Sequence, residues 1–278
     1  MALSILNNIP SLVAENSLDE TNNKLQNTLQ ELASGSRINS GADDAAGLAI
    51  ANGLEANITA LTQSEQNAND GVGQLQVADG SLSQVTTLLN RAITLATESA
   101  TGTVTDSQRS ALDAEFTSIK SEIDSIGQNT TFNGSSVFTN SATSIFISDG
   151  ATSSTIAVTV GTLSQGGIGT GSSTVSLAND NLLSATSAAT ALTDVNNAIA
   201  QVAAVRGAEG AAVNRLTAAS AILSNQVQNL TSAENGIVAA DIGQTVTNLS
   251  QYNILSQTGM AALAQANSAQ QNVLTLLK

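Results

Sequence analysis

Leu54, Leu61, Ala68, Leu75, Leu82, Leu89 and Ala96 follow one another at intervals of seven, with Ile58, Val72 and Ile93 supporting the same face. Seven residues are nearly two turns of α-helix, so this spacing draws an apolar stripe along one side of a helix and predicts a partner helix against it. A continuous helix from about Asp43 to Ser99 is about 85 Å long at 1.5 Å per residue, several times an ordinary globular helix. The spacing returns late in the chain at Val195, Val202, Leu216, Leu223, Leu230 and Ile237, and there Glu209, close to Gly207 and Gly210, interrupts it.

Weaker stripes flank these two. Leu18, Leu25 and Leu32, with Thr21 and Thr28 between them, predict a terminal helix ending near Ser34–Gly35, with Pro10 in its first turns where a missing N–H does little harm. After "NGIVAAD" the frame shifts, and Ile242, Leu249, Leu263 and Leu277 make a new register with Tyr252, Ala266 and Val273 three residues on. Thr101–Thr105 breaks the first long helix, and Leu112, Phe116, Ile119, Ile123 and Ile126 predict a shorter one to about Gly127.

The middle changes character. Asn133–Gly134 is a turn signal, "SIFIS" and "STIAVTV" are β-type runs flanking Asp149–Gly150, and "SQGGIGTGSST" reads as a loop. Ile156, Val158 and Val160 alternate onto one face. Phe116, Phe132, Phe138 and Phe146 are expected to form a small core beneath this hairpin.

The order is therefore short helix, break, long helix, β-rich middle, long helix, break, short helix. Pairing first with last and second with penultimate is the simplest way to bury the stripes. The predicted fold is mainly α: a long antiparallel helical bundle or coiled-coil rod with a small β-hairpin region. Residues 1–38 and 238–278 form a terminal coiled-coil domain, and 39–237 a domain of long helices with hairpin and loop at about 133–181. Leu18, Leu25, Leu32, Leu249, Tyr252, Leu263, Val273 and Leu277 are its expected terminal packing residues.

Composition narrows the function. With no His and no Cys, the chain lacks the commonest general base, thiolate nucleophiles and the usual zinc ligands. A net charge of −14, with eight Lys and Arg dispersed, leaves no basic stripe for nucleic acid. No run of eighteen apolar residues is present to span a bilayer, and "MALSILNNIP" has neither the basic start nor the cleavage site of a secretory signal peptide. Ser and Thr abound, yet no Ser-x-x-Lys nucleophile motif occurs. Acidic residues along a long helix ordinarily form a solvated face. The reading is a non-enzymatic protein with no cofactor and no metal.

The break "SGSRINSGADDAAGLAI", Ser34 to Ile50, decides between a ligand loop and a joint. A phosphate loop needs a preceding strand and a Gly-Lys-Ser/Thr end, and neither is present. A calcium loop needs alternating ligands, whereas Asp43 and Asp44 are adjacent. Ser40-x-x-Asp43 instead resembles a capping box, with Asp43 and Asp44 placed in the first helical turn. Arg37 is expected to pair with one of these carboxylates and orient the joint.

"LASGSRINSGADDAAGLAIANGL", "NDGVGQLQVADGSLSQVTTLLNRAITLA", "IDSIGQNTTFNG" and "TVTNLSQYNILSQTGMAALAQANSAQQNVLTLLK", in this order, resemble the bacterial flagellins. The resemblance spans about Met1 to Phe138 and Leu182 to Lys278. It implies a structural subunit that self-assembles into the hollow helical filament used for swimming, with the terminal helices in an inner tube and the long helices around it. Only about forty residues, Thr139 to Leu182, stand where many flagellins carry outer domains, so none is expected. The resemblance further implies export through the flagellar type III route and an extracellular filament. Its implied partners are other copies of the chain, the flagellar cap, hook–filament junction proteins and an export chaperone at the C-terminal segment. It also implies an animal innate-immune receptor at positions matching Arg91, Leu95 and Glu115, while Ile93 stands where recognised flagellins often carry a second Arg. A hook–filament junction protein or a surface polysaccharide binder is the alternative within the family. A chemoreceptor signalling hairpin shares the helical pattern but turns at its midpoint through helix rather than strand.

Overall fold

The computed structural model describes residues 8–149, 154–171 and 173–276, with side chains as far as residue 271. Among them the helices are α1 (Ile9–Ser34), α2 (Ala45–Ala100), α3 (Asp106–Asn129), α4 (Ala185–Val238) and α5 (Ile242–Leu276). Seven short strands lie between α3 and α4: β1 (Thr131–Phe132), β2 (Ser135–Ser136), β3 (Ala142–Phe146), β4 (Thr155–Thr159), β5 (Thr162–Ser164), β6 (Gly167–Thr170) and β7 (Ser173–Val175). The protein is thus mainly α with a small β region, as the spacing predicts. It forms two compact units, one of residues 1–56 with 229–278 and one of residues 57–228. Both divisions fall inside helices and not at the breaks near 38 and 238.

In the first unit α1 and α5 run antiparallel. Asn8 donates to the Ala266 carbonyl at 3.4 Å, whereas Ser256 donates to Asn22 Oδ1 at 3.3 Å. Pro10 occupies the first turn, and Asn8 caps it by accepting from Ser11 N–H at 3.2 Å.

In the second unit the heptad stripe of α2 is the core. Leu61, Ala68, Leu75, Leu82, Leu89 and Ala96 are buried, and so are Ser64, Gly71, Ala78, Val85, Ala92 and Ser99, the residues three positions on. These partners are mostly small, so neighbouring elements approach α2 closely. From α4 the facing set is Val195, Ala198, Val202, Val205 and Leu216. Thr105 and Gln108 make a reciprocal capping box at the start of α3.

The Asn133–Gly134 signal gives the tight β1–β2 hairpin, with φ of 50° and 76° at its two turn residues and Phe132 opposite Ser135. β3 pairs antiparallel with β4, Ile145 opposite Ile156, and Ile145, Ile156, Val158 and Val160 point into the core. Gly150 of the expected turn lies outside the described residues. Two expectations change here. The Gly/Ser/Thr segment is a three-stranded antiparallel sheet, β5–β6–β7, because Leu163 and Ile168 are buried and hold the backbone against the helices. Phe146 is 41% exposed and does not join Phe116 and Phe138 in the core.

The sheet region and the segment between β7 and α4 are fixed to α3 by charged side chains on that helix. Asp124 accepts from both the backbone and side-chain N–H groups of Gln165, Lys120 Nζ donates to the Asp180 carbonyl at 2.7 Å, and Asp113 accepts from Leu182 N–H at 2.7 Å.

Candidate functional site

Three features carry the candidate function: the break between α1 and α2, the α1–α5 seam, and the exposed face where α2 meets α3. At the break, α1 ends on Gly35, whose left-handed φ of 71° is one glycine adopts without strain, and whose N–H donates to Glu31 O at 2.8 Å. The chain then turns through Ser40–Asp43. One carboxylate oxygen of Asp43 accepts from the N–H groups of Asn39 (3.0 Å) and Ser40 (2.8 Å) and from the Ser40 hydroxyl (3.1 Å). Those backbone donors hold the Asp43 carboxyl below the usual carboxylate range. Asp44 follows and is the true N-cap, accepting from Gly47 N–H at 2.8 Å while its carbonyl accepts from Leu48 N–H at 2.9 Å. Ser40 is therefore not the cap, and neither aspartate lies in the first turn of α2, which begins at Ala45. The cap shifts because Asp43 is already committed to the preceding turn.

Arg37 pairs with neither carboxylate. Its Nη2 donates to the Ile237 carbonyl at 2.8 Å, in the last turn of α4, where the helix end carries partial negative charge. Around it the two breaks are tied backbone to backbone. Arg37 N–H donates to Val238 O at 2.7 Å, Ala240 N–H donates to Gly35 O at 3.0 Å, and Ser36 and Ala239 form an antiparallel bridge. On the far side Asp241 caps α5, accepting from Gln244 N–H at 3.1 Å. The joint is a capped crossover fastened to a second capped crossover, and it holds no ligand-type geometry. Among the described residues no group of three acidic side chains is placed to hold a metal ion, and no helix is long and apolar enough to cross a membrane.

Eight residues are expected to pack the seam between α1 and α5. Leu18, Leu25, Leu32, Leu249, Tyr252 and Leu263 are all half-buried, and Leu18 packs over Gly259. The Val273 side chain and Leu277 lie outside the description. Polar seam contacts accompany them, as where Ser11 Oγ meets Asn267 Oδ1 at 3.0 Å. Within α1, Thr28 is the buried residue, and no leucine of that helix is fully covered. The outward faces carry Ile9, Leu12, Val13 and Leu29 on α1, and Ile242, Val246, Ile254, Leu255 and Met260 on α5.

On the second unit Arg91 and Glu115 form an exposed bidentate pair at 2.7 and 3.0 Å, which lowers the Glu115 pKa. Leu95 is different. It is fully buried in the core between α2 and its neighbours, so it is not available to a partner at the surface. The heptad predicts a stripe at Leu89 and Ala96; Leu95 flanks it and fills the adjoining layer toward the core.

A family model described as "Bacterial flagellin N-terminal helical region" matches residues 5–143, and one described as "Bacterial flagellin C-terminal helical region" matches residues 192–277. The chain belongs to the bacterial flagellin family. Among its flagellin relatives, the flagellin of Halalkalibacterium halodurans is 32% identical over 275 residues, covering 99% of both chains. The flagellar filament 30.7 kDa core protein of Treponema maltophilum is 31% identical, covering 98% of this chain and 99% of its own. The flagellin of Bacillus subtilis is 32% identical over 306 residues, covering 99% of this chain and all of its own. A crystal structure of Bacillus cereus flagellin aligns at 26% identity with a TM-score of 0.47, covering 61% of this chain and 94% of that one.

These flagellin relatives match from end to end at nearly this length, which agrees with a short form without outer domains. Some residues that hold this flagellin together leave no sequence signal. Asp241 and the Asp113–Lys120–Asp124 set look like any charges beside or on a helix. Glu209 does leave one, as the interruption of the α4 stripe.

Proposed function

We propose that this flagellin polymerises with its residues 1–38 and 238–278 in the inner tube of the flagellar filament and residues 39–237 around it. Membership of the family makes it a structural subunit of an extracellular, self-assembling flagellar filament. The observation supporting the finer placement is the α1–α5 seam: two long helices share one half-wet interface and still expose, among their described residues, nine large apolar side chains. Such a pair gains most of its stability from neighbours of the same kind.

The same marginal seam suits export as an unfolded chain through the flagellar type III route, with a chaperone covering the C-terminal segment and folding completed beneath the cap. With no Cys, and a proline only in the first turn of α1, neither disulfide exchange nor a proline within a strand or loop slows that folding. At the base, hook–filament junction proteins are the expected neighbours. For an animal innate-immune receptor, Arg91 and Glu115 are the surface residues on offer.

Salt-induced growth of sheared filament seeds by the purified full chain tests this reading. Elongation visible by electron microscopy is the expected result. Leu255→Glu, which puts a charge on the outward face of α5 and leaves Leu249, Tyr252 and Leu263 alone, is expected to reduce elongation at least tenfold. Seeds that never elongate, or that elongate equally well with the variant, would sink the placement. Relatives named as flagellins and filament core proteins favour this role over junction or polysaccharide-binding roles.

A further inference from the structure

The core-facing residues of α4 run Val195, Ala198, Val202, Val205 and then Glu209 before Leu216 restores the apolar series. Glu209 is 2% exposed, and neither of its carboxylate oxygens has a hydrogen-bond partner among the described residues. Its charged neighbours are Asp79 on α2 and Arg206, three residues earlier on α4. The strands of this unit carry no ionisable side chain. Arg206 is already engaged: its Nε donates to Asp79 Oδ1 at 2.7 Å and its Nη2 to Oδ2 at 3.4 Å. Two carboxylates thus surround one guanidinium, and the buried one is the one left over. Burial first, and Asp79 second, outweigh Arg206 and push the Glu209 carboxyl up to about 7.

We propose that Glu209 is a proton-operated lock in the α2–α4 packing: neutral, it fills its core layer and leaves Arg206 to Asp79; ionised, it competes with Asp79 for Arg206 and loosens that layer. The proton is exchanged with solvent, and no other group need change its charge. The sign follows from the two states. Between the ordinary glutamate range and neutrality the unfolded chain has released this proton while the folded chain keeps it, so stability falls as pH rises through that window.

Thermal unfolding of the soluble full-length monomer from pH 5 to 8.5, compared with Glu209→Leu and Asp79→Asn, tests the lock. The unmodified protein should lose melting temperature across this range. Glu209→Leu should flatten that loss and melt higher than the unmodified protein at pH 8. Asp79→Asn frees Arg206 for Glu209 and should move the midpoint of the loss about one pH unit toward acid. A Glu209→Leu profile parallel to the unmodified one would overturn the proposal, and so would an unmoved midpoint in Asp79→Asn. Carbon-13 NMR of the glutamate carboxyls in the unmodified protein decides independently of how the variants fold. Titration of Glu209 near neutrality supports the lock, and titration in the ordinary glutamate range ends it.

Discussion

Asp43 and Asp44 are neighbours of one chemical type and do different work. Asp43 closes the turn behind it by collecting the N–H groups of Asn39 and Ser40, and Asp44 starts the helix ahead of it by collecting Gly47 N–H. Each satisfies backbone donors that a chain break otherwise leaves bare. Replacing Asp44 by Ala removes the cap from α2, at a cost of about 1 kcal/mol. Amide exchange at Gly47 and Leu48 should accelerate several-fold while exchange in the middle of α2 stays unchanged, and unaltered protection at both amides would show that another group caps the helix. Acid should loosen the same joint through Asp43. Its carboxyl is held below its unfolded value, so its contribution is present above that value and is lost as pH falls through the folded one.

At the level of elements, the long helices were legible because their physics is periodic. Apolar residues at sevens can be buried together only along one face of a helix; α2 buries them from Leu61 to Ala96 and α4 from Val195 to Leu223, whereas Leu54, Leu230 and Ile237 of the same stripes are only half-buried. The end of α1, both ends of α2 and the end of α3 were legible to within two residues, since signals such as Gly35 and the Thr101–Thr105 break act locally, whereas α4, expected from about Leu182, begins at Ala185. The β5–β6–β7 sheet was not, because its strands are held as much by the helix beneath as by their own alternation. Nothing local shows that Asp124 will reach Gln165, or that Leu163 will lie on Gly127. At the joint Ser40, Asp43 and Asp44 stand out in the sequence, but the spacing puts the cap at Ser40 and not at Asp44, because the competing turn that uses Asp43 is visible only in three dimensions. That contact with Gly127 gives an element-scale prediction. A methyl group added there meets the backbone carbonyl of Leu163 directly, where no side chain can turn aside, so Gly127→Ala should destabilise the protein by about 1–3 kcal/mol in urea unfolding. Gly80, also inside a helix, has open space around it, and Gly80→Ala should stabilise by about 0.5–1 kcal/mol. Equal effects at the two positions would mean that the α3–β5 contact does not form.

For the whole molecule, the contrast between the two units matters most. Residues 57–228 enclose a buried core that draws on helices and strands, whereas the described residues of the other unit rest on the α1–α5 seam and on a set of backbone ties at the joints. Covering a large apolar side chain fully contributes about 1.5–3 kcal/mol, so neighbours covering Ile9, Leu12, Val13, Ile254, Leu255 and their like outweigh what α1 and α5 offer each other alone. A flagellin built this way should keep its second unit folded as a soluble monomer and complete the first on assembly. Hydrogen exchange checks this directly. In the monomer, amides of residues 9–34 and 242–271 should exchange at least a hundredfold faster than those of the α2 core stripe, and in the filament the difference should largely disappear. Far-ultraviolet circular dichroism should show the matching gain in helix when monomers join seeds. Full protection of both terminal helices in the free monomer would mean that the seam is self-sufficient, and the exposed apolar faces would then need another explanation.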